Sequence, residues 1–142
     1  MRILGHPVHP ILVAFPIALF SLGTVCDLVA LIADLPALAQ AGRLCLIVGL
    51  ASAVLALVTG VVDFLPLASS SPAMATAVRH GVLAFSATSS FGMALVLRGP
   101  GPIPATLALA IEVVSLVLIG AAGWFGGHLV FHHGVGVRDG RR

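Results

Sequence analysis

Charged side chains are almost absent: only 8% of the 142 residues are Asp, Glu, Lys or Arg, and every basic residue is an arginine. The net charge is only +2, and the terminal VRDGRR is too short to be more than a charge anchor, so nucleic-acid binding is not supported. Cysteine is limited to Cys26 and Cys45. They fall in or beside two different apolar segments, so neither a disulfide framework nor a CxxC metal site is expected and both read as packing residues. Also missing are a nucleophile elbow, a phosphate loop, a dinucleotide fingerprint and an HExxH motif, which argues against hydrolase and transferase activities.

What fills the chain instead is apolar. Hydrophobic residues make up 59% of it and the mean hydropathy is +1.16, outside the range of water-soluble domains. Since a spanning helix needs roughly 20 mostly apolar residues, four transmembrane helices are expected, about 9–33, 43–65, 80–97 and 105–131. The gaps between them carry loop punctuation: Asp34, Pro36 and Gln40; then Pro66 and the SSSP run 69–72; then RGPGPIP over 98–104. The expected fold class is all-α, one integral-membrane four-helix bundle over residues 1–142. The first apolar run follows Arg2 as in a signal peptide, but it is long, holds Pro16 and Asp27, and lacks a small-residue cleavage site, so it reads as a retained helix.

Four spans place both termini and the middle loop on one side. Arg2, Arg79, Arg138, Arg141 and Arg142 lie there, against Arg43 and Arg98 on the other side, so the positive-inside tendency puts the termini in the cytoplasm. The same topology collects the histidines. His6 and His9 open the first helix, His80 opens the third, and His128, His132 and His133 close the fourth. Asp63 joins them at the end of the second. Ionisable groups at membrane depth are costly and point to function, whereas solvated imidazoles at an interface are the ordinary alternative. Pro7 and Pro10, each following a histidine, favour extended backbone there and restrain the two rings. His128 and His132 are four apart, a helical metal-ligand spacing.

Small residues recur along the helices: Gly49, Ala53, Ala56 and Gly60; Gly81, Ala84, Thr88 and Gly92; Gly120, Gly123 and Gly127. Such stripes let helices approach closely in lipid, or make room for a flat macrocycle beside a histidine. Asp27 and Glu112 lie nearer the other face, at the level of Arg43, and an ion pair or a carboxyl hydrogen-bonded across helices would satisfy them; half of a proton path is the alternative. No inverted repeat and no broken midplane helix pair is evident, which argues against a transporter.

GHPVHPILVAFPIALF at the start, GVVDFL at the end of the second helix, the Arg79–His80 pair and the closing GWFGGHLVFHHGVGV resemble the bacterial membrane family filed as domain of unknown function 2231, over essentially the whole chain. In that family the closing motif usually reads like GGELVYRHGVGV, so His133 matches the family histidine, whereas His128 and His132 depart from it. The resemblance thus points to His6, His9, Asp63, His80 and His133. Relatives joined to Rieske-type iron–sulfur domains imply a place in electron transfer in the bacterial inner membrane, with an iron–sulfur or cytochrome-type partner.

Two cofactor expectations result. One is b-type haem held by His80 with His9 or His133 as axial ligands, with His6, Asp63 and Arg79 nearby to tune charge or meet a propionate. The other is a zinc, copper or non-haem iron site using His9, His80, His133 and Asp63. A structural anchor subunit of a larger membrane complex is the third reading.

Overall fold

In the computed structural model, residues 2–3, 6–99 and 104–137 are described, with the backbone alone for 2–3 and 6–7. Apart from a two-residue antiparallel pairing of Arg2–Ile3 (β1) with His6–Pro7 (β2), the described chain is helix and turn. The helices are α1 (Val8–Leu12), α2 (Ala14–Ala33), α3 (Pro36–Phe64), α4 (Pro72–Leu97) and α5 (Ala105–Phe131). Four segments are long and apolar enough to cross a membrane: α1 with α2 as Val8–Ala33, then α3, α4 and α5. A span must satisfy its backbone polar groups internally, which helices do.

The first span is broken at Val13 because Pro16 offers no N–H to the carbonyl of Leu12, one turn earlier, and its ring crowds that carbonyl. Helices α3 and α4 start well before the purely apolar segments, at Pro36 and Pro72 instead of about 43 and 80. Proline is suited to the first turn, where its missing N–H has no intrahelical partner. The Ser71 hydroxyl accepts from Met74 N at 3.2 Å and caps α4. Between α2 and α3 the chain turns through Asp34, which adopts a left-handed φ of 51°. Gly134, at φ 66°, follows the end of α5.

Helix α2 lies along α3 and α4 along α5, and α3–α4 and α2–α5 contacts close the ring, so α2 and α4 stand on a diagonal. Each of these hairpins has a constant register. In the first, His9 rests on Gly60, Phe20 on Gly49 and Asp27 on Gly42; in the second, His80 rests on Gly126. Across the diagonal the rings of Phe20 and Phe91 stack at 4.1 Å with 9° between planes. Both are essentially fully buried, with Leu46, Ala53, Leu50, Leu95, Leu116 and Ile119 around them. Apolar side chains such as Leu28, Val54 and Val117 point outward instead, as expected where lipid is the solvent.

The two hairpins are parallel copies of one another. A shift of 71 positions carries His9 to His80, Phe20 to Phe91 and Asp27 to Arg98, and a shift of 66 carries Gly49 to Ser115, Ala56 to Ala122 and Gly60 to Gly126. Each first-named pair meets across the bundle, which defines an approximate two-fold axis along it. The buried small-residue faces are therefore Gly42, Gly49, Ala53 and Ala56 on α3, with Ala108, Ser115 and Ala122 on α5. Of the expected stripes, Gly81, Gly120 and Gly123 have nothing within 4 Å of an added Cβ and do not form the helix contacts.

A methyl group at Gly49 would sit 2.8 Å from the Phe20 ring. Gly49→Ala should therefore lower the thermal midpoint of the detergent-solubilised protein by the equivalent of about 1–3 kcal/mol, the usual cost of overpacking. Gly120→Ala should leave it unchanged. Equal effects in the two variants would contradict this packing.

Candidate functional site

At the end of the bundle where the first helix begins, two imidazoles are fixed in the same manner. His9 Nδ1 lies 2.9 Å from the Ala56 carbonyl of α3, and His80 Nδ1 lies 2.8 Å from the Ala122 carbonyl of α5. A carbonyl oxygen only accepts, so Nδ1–H is the donor in both contacts and each neutral ring keeps its lone pair on Nε2. The ring centres are 6.2 Å apart and the planes nearly perpendicular, at 86°. Glycine makes this placement possible: a Cβ at Gly60 would be 2.9 Å from His9 Cε1, and one at Gly126 would be 3.1 Å from His80 Cε1. A metal-ligating histidine is commonly oriented by such a bond from its other nitrogen to a carbonyl.

The remaining expected site residues are less convergent. His133 Nε2 is 3.1 Å from the Thr76 hydroxyl, and its ring stands edge-on to His128 and His132 at 5.1 and 4.9 Å. Partial desolvation and the neighbouring rings of His132 and His128 hold it below the usual imidazole value. Arg79, although next to His80 in sequence, is exposed and places its guanidinium 6.0 Å from the centre of the Phe125 ring, a cation–π contact. Asp63 lies in the last turn of α3, three residues beyond Gly60, and is half-buried. The side chain of His6 falls outside the described residues. Among the described residues no group of three or more His, Cys, Asp or Glu is gathered around a common point for a metal ion. His9, His80 and His133 are thus not gathered around one point, whereas the His9 and His80 rings lie side by side.

The opposite end holds a buried ionic cluster. Arg98 Nε donates to Glu112 Oε1 at 3.0 Å and Arg98 Nη2 to the same oxygen at 2.6 Å, while Nη2 also pairs with Asp27 Oδ2. Glu112 is fully buried and Asp27 nearly so. The partner of both acids is Arg98, not Arg43. Arg98 looked like part of the RGPGPIP loop, but it caps α4, directly after Leu97, and reaches back into the bundle. The signal that could have found it is the repeat itself, because Arg98 holds the place of Asp27.

The fold and its polar ends define a four-span membrane protein with small-residue helix contacts. Residues 5–139 match the family described as Predicted membrane protein (DUF2231), and the chain belongs to that family. No curated protein and no solved structure matches it.

Among the described residues Arg98 is the charge set against the two buried carboxylates, so Arg98→Met should destabilise the fold by about 3–5 kcal/mol, as removal of one partner from a buried ion pair does. The triple variant Asp27→Asn, Arg98→Met, Glu112→Gln should recover much of that loss. Chemical unfolding in detergent, followed by circular dichroism, measures both; a triple variant no more stable than the single one would contradict the clasp.

Proposed function

We propose that the chain is a b-type haem protein of membrane electron transfer, in which His9 and His80 would hold the haem iron. The observation that supports this most is the matched pair of rings, each donating through Nδ1 to a carbonyl and so leaving Nε2 to bind. When bound, haem supplies one-electron chemistry, and its protein levers are the axial ligands, their hydrogen bonds and burial.

The chain's own residues have separable tasks in this reading. Ala56 and Ala122 set the tautomer of the two rings, and Gly60 and Gly126 seat them. Arg79, at the same end, would meet a propionate, and Asp63 would adjust local charge. A pair of ligands equivalent under the two-fold axis suits a flat cofactor with two similar faces better than a tetrahedral ion, which needs four donors. The partner would be an iron–sulfur or cytochrome-type protein at the bacterial plasma membrane.

The purified chain, supplemented with haem in detergent, should show a Soret band and sharpened visible bands on reduction. His9→Ala and His80→Ala should each remove the six-coordinate spectrum, while His128→Ala and His132→Ala should keep it. A folded chain without a Soret band, or with one indifferent to loss of both His9 and His80, would overturn the proposal. Stoichiometric metal without a Soret band would assign the pair to a non-haem ion.

A further inference from the structure

The clasp at the other end does not balance. Arg98 carries one positive charge, and Asp27 and Glu112 carry two negative charges when both are ionised. Arg98 directs both of its bonds toward Glu112 to a single oxygen, Oε1. Glu112 Oε2 is left buried without a hydrogen-bond partner, on a residue of 0% exposure. A lone buried acceptor, and an uncompensated charge beside it, are both costly at this depth.

The same geometry offers a remedy. Asp27 Oδ2 and Glu112 Oε1 both meet the same nitrogen, Arg98 Nη2, so the two carboxyl groups are neighbours. Ionised carboxylates only accept, so a bond between them requires that one carry a hydrogen. One proton brings the cluster to neutrality and gives the second Glu112 oxygen a role. Asp27 cannot retreat toward α3, because its carboxyl already fills the place of a side chain at Gly42.

Access comes from the loop end. A cavity of about 460 Å³ is lined by Asp27, Asp34, Gln40, Arg43, Arg98 and Leu109. Glu112 lies one helical turn beyond Leu109, deeper in the bundle, so a proton entering here meets Arg98 and Asp27 first. The charged and titratable groups facing the cluster are Asp34 from α2, Arg43 and the Cys45 thiol from α3, Arg98 at the end of α4 and Glu112 itself from α5. At the rim, Asp34 and Arg43 carry opposite charges.

We propose that Asp27, Glu112 and Arg98 form a proton-binding site in which the two carboxyls share one exchangeable proton, taken up from water through the loop-end cavity. The site is distinct from the histidine pair and needs no cofactor. Uptake makes one O–H bond on a carboxylate at the expense of a hydronium ion, and nothing else in the chain changes covalently.

Infrared difference spectroscopy of the full chain in lipid bilayers, recorded on a step from neutral to alkaline pH, tests this. The wild type should lose one protonated-carboxyl C=O band, and that band should shift in heavy water. Glu112→Gln and Asp27→Asn should each abolish it, since either change leaves Arg98 facing a single carboxylate. Asp34→Asn and Asp63→Asn should retain it. A wild type with no such band overturns the proposal, whatever the variants do. A band that persists in Asp27→Asn also overturns it, because the proton would then belong to Glu112 alone. Haem content decides none of these outcomes, so the site and the cofactor reading fail separately.

Discussion

The close approach of the two helices in each hairpin is the constraint on which everything else rests. In lipid no hydrophobic drive pushes helices together, so they associate through packing and polar contacts. Gly42, Gly49 and Gly60 give α3 a face on which a carboxylate, a phenyl ring and an imidazole each find a seat. Were that face lined with larger side chains, His9, Phe20 and Asp27 would be pushed away from the carbonyl and cationic partners they meet. The same register in the second hairpin seats His80 on Gly126.

The matching register of the two hairpins explains why the bundle axis carries three paired levels. Neutral rings can face their own copies, and the phenyl pair stacks while the imidazole pair meets edge to face. Identical charges cannot, because repulsion at such range in a low-dielectric interior is severe. At the third level the matching positions hold Asp27 and Arg98, which attract. The second hairpin then places Glu112 where the first has Leu46, and this added acid tips the level to an excess of negative charge. The site with unbalanced charge is therefore the place where the symmetry is broken.

Much of the architecture was legible from residues alone. Hydropathy marks four spans, and the histidines gather at one end once the spans are drawn. The helix contacts were less legible, because lipid-facing and core-facing positions are both apolar and no amphipathic period separates them. Hence Gly81, Gly120 and Gly123 looked equivalent to Gly49 and Gly60, although only the latter two seat a side chain. The helix starts at Pro36 and Pro72 were hidden by polar or small first turns. His133 shared an end with His80 but turned to Thr76, and the direction of a side chain past a helix end is not written in its spacing.

The two hairpins are equal in plan but unequal in helix continuity. Helix α4 runs unbroken from Pro72 to Leu97, so His80 and Phe91 share one rigid rod with Arg98 at its end. In the first hairpin the break at Val13 separates His9 from Phe20 and Asp27, and proline-induced breaks are where helices bend. The His80 ring, the aromatic stack and the clasp are thus joined by one continuous helix. On the far side of the break His9 rests on α3, as Phe20 and Asp27 do. Helix α4 thus joins the His80 ring to Arg98 by continuous backbone, whereas His9 is joined to Asp27 across an interruption.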